Sequence, residues 1–213
     1  MRKGKSTMNK LEGLIRDSKS VAEYVTAYAD HMSGLVKSLD SSATATLIEA
    51  VETACANDKT VFLIANGGSA AVGGHWVNDV SANTVVDGQP GYRVISLTDN
   101  AFSITALAND ASFEKIFEIQ LKANMREGDV VIAMSVSGNS PNLIHGVEYA
   151  NGHGGITFSC TGMDGGRLKE IGRFSIHCPT TKDEYGPAED MFSVIMHVVT
   201  TYLTMKRGRM LAH

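Results

Sequence analysis

Residues Asp129 to Asn142, Asp-Val-Val-Ile-Ala-Met-Ser-Val-Ser-Gly-Asn-Ser-Pro-Asn, constrain the fold most, because a buried-looking strand ends there in clustered hydroxyls before a helical pattern begins. Val130 to Met134 form a continuous apolar run, as expected of a central parallel strand covered on both faces. Leu143, Ile144 and Val147 then open a helical stripe. The loop between them sits at a helix N-terminus, where unpaired N–H groups and the positive end of the macrodipole favour an anion. Ser135, Ser137 and Ser140 can add hydroxyl donors, and Gly138 lets backbone approach closely. No G-x-x-x-x-G-K-[S/T] string is present, so a phosphate here is held by neutral donors, which suits a sugar phosphate better than a nucleoside triphosphate. The same residues are also compatible with an ordinary Ser-rich turn that caps a helix.

Four further runs, Thr60–Ala65, Arg93–Leu97, Gly155–Cys160 and Phe174–Cys178, read as strands, with helical patterns between most of them. This βαβ rhythm predicts a mainly parallel sheet with helices on both faces. Ahead of it, Leu11, Leu14, Ile15, Val21, Tyr24, Val25, Tyr28, Met32, Leu35 and Val36 recur at helical spacing. A second helix is expected from an N-cap at Ser41 or Ser42 to a stop at Asn57-Asp58. No repeat or linker interrupts the chain, and Asp87–Gly91 reads as a surface turn. We expect one domain over 1–213, with 8–57 as an N-terminal helical extension.

A formal net charge of -4 with 20% charged residues gives no electrostatic reason to expect nucleic acid. The basic start, Met1 to Lys5, is not followed by an apolar signal-peptide core, and no segment approaches the roughly 20 apolar residues of a membrane span, so a cytoplasmic location is expected. Cys55, Cys160 and Cys178 lack C-x-x-C spacing and lie in apolar stretches, which favours buried free thiols over disulfides or a thiolate metal site.

In open parallel sheets ligands bind beyond the carboxyl ends of the strands. Two such ends, Asn66-Gly67-Gly68-Ser69 and Ser135–Ser140, should face one crevice, with Thr98-Asp99-Asn100 and Thr161–Gly166 as a polar rim. His75 and Asp79 stand four residues apart on one helical face, and Glu189 and His197 stand eight apart, roughly one face over two turns. These imidazoles and carboxylates could hold zinc or another divalent ion. The bland readings stand beside this one: His75 as a surface residue beside Trp76, and His197 as a core histidine among Ile195, Met196, Val198 and Val199. The remaining histidines, His31 among them, show no comparable pairing.

Taken together, Asn66–Ser69, His75 with Asp79, Ser135-x-Ser-Gly-Asn-Ser140, Thr161-Gly-x-Asp-Gly-Gly166 and His197 resemble the sugar isomerase (SIS) family, in its phosphoheptose isomerase branch, over nearly the whole chain. The resemblance implies a flavodoxin-like three-layer α/β/α sandwich that assembles as a homotetramer with sites at subunit interfaces. It implies conversion of sedoheptulose 7-phosphate to glycero-manno-heptose 7-phosphate, toward the heptose of lipopolysaccharide. Ser135, Ser137, Asn139 and Ser140 match the phosphate loop, and Asn66 and Ser69 match substrate contacts; Gly67, Gly68, Asp99, Asn100 and Glu189 join the expected substrate-binding set. The family's zinc pattern of His, Glu, Gln, His falls on His75, Asp79, Glu189 and His197, with Asp79 one methylene shorter than the family's glutamate and Glu189 replacing a neutral glutamine. Asn83 and Gly186 stand where an arginine and an aspartate are expected.

The expected chemistry is an aldose–ketose isomerisation through an enediol, with Asp79 and His197 as base and acid. The alternatives are a non-catalytic SIS protein that binds a sugar phosphate or the replication initiator DnaA, and an isomerase of another sugar phosphate.

Overall fold

The computed structural model describes residues 10–209; the basic start, the expected extension boundary at residue 8 and His213 lie outside the described residues. The N-terminal stripe, read from sequence as one helix, is two: α1 (Lys10–Asp17) and α2 (Val21–Lys37). The break lies at Ser18–Ser20, where the Ser20 side chain accepts from the Glu23 N–H and Glu23 in turn accepts from the Lys19 N–H at 2.6 Å. A Ser-x-x-Glu spacing starts helices in this way, and here it outweighs the continuity of the apolar stripe. In α3 (Ser41–Ala56) the cap is Asp40, which accepts from the Ala43 N–H at 2.9 Å, so the expected N-cap at Ser41 or Ser42 moves back to Asp40.

Five strands follow: β1 (Thr60–Ala65), β2 (Arg93–Ser96), β3 (Val130–Ser135), β4 (Ile156–Thr161) and β5 (Phe174–His177). Each boundary lies within one residue of its expected place. All four pairings are parallel, in the order β2-β1-β3-β4-β5. Between and after the strands run α4 (Gly67–Asn83), α5 (Ala101–Asp110), α6 (Ile116–Asn124), α7 (Pro141–Gly152), α8 (Gly166–Ile171) and α9 (Tyr185–Lys206).

Alternate residues of the strands feed opposite cores. Val61, Leu63, Val130, Ile132 and Met134 pack with residues of α3, α4 and α9, whereas Phe62, Ile64, Val131 and Ala133 pack with residues of α6, α7 and α8. The sheet is therefore covered on both faces, which explains why β3 reads as an unbroken apolar run: all six of its residues are buried. The architecture is the three-layer α/β/α sandwich expected.

All three cysteines are free and buried. Burial pushes the Cys178 thiol up to about 12 and Cys160 higher still. Among the described residues, no helix is long and apolar enough to cross a membrane.

The strand order reverses direction between β1 and β3: the chain moves one way to β2, then returns across β1 to β3 and onward to β5. Adjacent crossovers leave opposite faces there, so their loops part and open a crevice at the carboxyl end of the sheet. Both loops singled out from sequence lie at that point.

Candidate functional site

A cleft of about 220 Å³ lies between the β1–α4 and β3–α7 loops, with Asn66, Gly67, Gly68 and Ser69 on one side and Ser135, Ser137 and Ser140 on the other. The first turns of α4 and α7 both face it. Neither helix has its N-cap side chain spent on capping: Asn66 and Ser140 make no side-chain cap hydrogen bond. Asn66 instead forms a reciprocal amide pair with Asn142, Nδ2 to Oδ1 at 3.0 Å one way and 2.8 Å the other. This pair ties the two loops together and leaves first-turn N–H groups of α4 for a ligand, whereas in α7 Pro141 has no N–H and the Leu143 N–H donates to Asn142 Oδ1 at 3.1 Å. Two helix N-termini converging on one cleft add their positive ends, which favours a dianion held without a cationic side chain.

The serine loop is held from behind. Ser135 Oγ accepts from the Gly138 N–H at 3.1 Å, and the Gly138 carbonyl accepts from the Leu168 N–H at 2.9 Å. Gly138 has φ of 65°, and a Cβ there would lie 1.9 Å from the Gly165 carbonyl oxygen, so only glycine fits. Asn139 serves this support rather than the cleft: its amide donates to the Ser137 carbonyl at 3.0 Å and its Oδ1 accepts from the Arg167 N–H at 3.0 Å. The Thr161–Gly166 stretch, expected as a rim, likewise packs behind the loop, with the Gly162 N–H on the Val136 carbonyl at 3.1 Å.

Tyr185 and Glu189, both on α9, form the remaining wall. Glu189 Oε1 lies 3.3 Å from Ser69 Oγ.

Farther along the same two helices, His75 and Asp79 of α4 meet His197 of α9. Asp79 Oδ1 is 3.5 Å from His75 Nε2 and its Oδ2 is 3.6 Å from His197 Nε2, while the imidazoles stand edge to face with centroids 5.1 Å apart. All three donor atoms lie within 4.8 Å of one another. His197 is half exposed, so the core-histidine reading falls, and His75 is more than an isolated surface residue. Ligands tetrahedral about zinc at roughly 2.0–2.1 Å stand about 3.3 Å apart, so two nitrogens and a carboxylate at these separations fit that ion with little movement.

The structure gathers three of the four expected ligands and leaves Glu189 on the cleft wall. Eight residues of helix rise about 12 Å, and Glu189 leans toward Ser69, away from His197. Asp99 and Asn100 lie outside the cleft: Asp99 Oδ1 faces Gly74 of α4, and Asn100 caps α5 through the Ser103 N–H at 3.1 Å. Sequence reasoning missed Asn142 and Tyr185. Asn142 gave no sign, since its partner lies 76 residues away. It also missed that His31 meets Glu184.

The SIS domain family matches residues 23–162 of this chain. A phosphoheptose isomerase of Helicobacter pylori (strain P12) is 30% identical over 175 residues, which span 79% of this chain and 88% of that protein. The phosphoheptose isomerase of Aquifex aeolicus (strain VF5) is 36% identical over 130 residues, spanning 61% of this chain and 68% of its own. The solved structure of phosphoheptose isomerase GmhA from Neisseria gonorrhoeae shares the fold, with a TM-score of 0.78 at 24% identity, covering 87% of this chain and all of that one.

Proposed function

This chain belongs to the SIS domain family, and from that premise we propose that it is a phosphoheptose isomerase, which converts sedoheptulose 7-phosphate to D-glycero-D-manno-heptose 7-phosphate through an enediol. The observation that carries the reading is the cleft itself: two helix N-termini whose N-cap side chains are not spent on capping, with three serines, make an anion cradle, and the same α4 and α9 that flank it carry the His75–Asp79–His197 cluster. The curated relatives are isomerases by name, and the non-catalytic and other-sugar alternatives are not favoured.

In this reading Ser135, Ser137 and Ser140, with the first-turn N–H groups, bind the phosphate and fix one end of the open-chain sugar, so that binding energy far from the reacting carbons orients them. Ser69 and Glu189 contact sugar hydroxyls along the wall. Asp79 takes the carbon-bound proton next to the ketone and returns one to the neighbouring carbon. His197 moves the proton between the two oxygens of the enediol. Zinc is the cofactor we propose, held by His75, Asp79 and His197, while Glu189 stays with the cleft wall. When bound, zinc supplies a positive charge that polarises the sugar carbonyl. Ligation and proton transfer compete for the Asp79 lone pairs, so both roles cannot be full at once.

We also propose a cytoplasmic homotetramer with its sites at subunit interfaces. Half-exposed His75 and His197, and the exposed Val198, Tyr202 and Met205 on α9, support this.

Turnover of sedoheptulose 7-phosphate by purified protein, assayed after chelation and again after zinc is restored, tests the reading. Zinc-dependent aldoheptose formation is expected; folded protein inactive in both preparations would refute it.

A further inference from the structure

The N-terminal helices, to which the proposed function gives no task, are tied to the start of α9 by polar contacts. The Lys10 N–H donates to Thr181 Oγ1 at 3.1 Å, and Tyr28 Oη lies 3.4 Å from Asp190 Oδ2. Between them His31 Nε2 donates to Glu184 Oε1 at 2.7 Å. Glu184 is fully buried, and its other oxygen accepts from the Thr181 N–H. It occupies the N-cap position of α9 without capping it, because its carboxylate is committed to His31 and Thr181. A carboxylate held out of water in this way needs its partners to stay where it is. Next in sequence is Tyr185, and one turn later comes Glu189, the two α9 residues of the cleft wall.

We propose that His31 and Glu184 are positioning residues: their buried contact across 153 residues of sequence latches the first turn of α9 to α2, and so holds Tyr185 and Glu189 against the cleft. The latch leaves the serine loop alone, since that loop is supported by the segment around Gly165 to Leu168. Its loss therefore moves one wall of the cleft and spares the phosphate cradle. The catalytic consequence rests on the isomerase reading; the mechanical one does not.

The test compares His31→Ala and His31→Gln in the full chain, by steady-state kinetics with sedoheptulose 7-phosphate, by competitive inhibition with inorganic phosphate, and by hydrogen exchange over 181–190. A displaced wall in H31A is expected to lower kcat at least about tenfold, with KM and phosphate inhibition within about twofold of wild type. Exchange at the start of α9 quickens while that of β3 does not. H31Q, whose amide can still donate to Glu184, recovers most of both losses. Wild-type kcat in H31A, or phosphate inhibition weakened in step with kcat, would overturn the proposal. Should H31A fail to fold, Glu184→Gln carries the same expectation and the same refutation. Wild-type protein without turnover would remove the isomerase reading alone; unchanged exchange in H31A would remove the latch.

Discussion

Gly68 lies so close beneath the carboxylate of Glu189 that a methyl group on it would stand 2.3 Å from Glu189 Oε2. The glycine is required there by a side chain from another helix, 121 residues on, rather than by its own backbone. Gly68→Ala is expected to push the carboxylate off the cleft wall and lower kcat about tenfold. Stability should hold or rise by up to about 1 kcal/mol, because alanine favours helix and the far end of a glutamate can yield. Kinetics beside a urea melt decide it; wild-type kcat would show that Glu189 is not needed where it stands.

Ser137→Ala removes one hydroxyl from the anion cradle and leaves the helix N-termini in place. A hydrogen bond to a charged group contributes about 1.5–3 kcal/mol, so KM for the sugar phosphate should rise about tenfold or more. The turnover number should move little, since the reacting carbons lie at the other end of the substrate. An unaltered KM would argue against the cradle.

His197→Ala separates binding from chemistry in the opposite sense. Turnover should fall by about two to four orders of magnitude, the usual share of a positioned acid or base. Inorganic phosphate should protect the variant against thermal unfolding as well as it protects wild type, because the cradle is untouched. Retained turnover would remove His197 from the mechanism.

Gly138→Ala meets backbone rather than a flexible side chain: the new Cβ would lie 1.9 Å from the Gly165 carbonyl oxygen, at a φ of 65°. Neither the strand end nor the Gly165 turn can yield without moving the serine loop. A loss of about 2–4 kcal/mol in stability is expected, together with loss of sugar-phosphate binding. A melt within about 0.5 kcal/mol of wild type would contradict the geometry.

Cys178 gives a pH dependence at the alkaline end. Burial raises its thiol from the ordinary 9.0 to about 12, so the folded state keeps the proton that the unfolded chain gives up. Its contribution is whole below pH 9.0 and is lost as pH climbs toward 12. Between pH 8 and pH 11 that amounts to about 2–3 kcal/mol, which Cys178→Ala should not lose. Urea melts of both proteins across the range measure the difference; parallel losses would place the thiol in contact with water.

Much of the frame was legible because it is written in local pattern. Val130–Met134 could be read as a doubly covered strand from apolar continuity alone, and the five strands emerged within a residue of their ends. The Ser-x-x-Glu at Ser20 is equally local, and the apolar stripe that runs across it is the weaker signal. Of the site, Ser135, Ser137, Ser140 and Asn66–Ser69 were found because a strand end followed by a helix start is a property of consecutive residues. His75 and Asp79 were found for the same reason, since helical spacing sets them on one face.

What the sequence by itself determined is therefore everything set by neighbours along the chain: strands, helix starts, the loops at strand ends and the pairs four residues apart. Only the tertiary structure decided which of these meet. It brought His197 to Asp79, turned Glu189 to Ser69, joined Asn66 to Asn142, sent Asp99 and Asn139 elsewhere, and buried Glu184 against His31. The physical reason is that each such contact depends on how two cores pack on either side of one sheet, and that packing is a sum over residues far apart in sequence, with no local pattern to announce it.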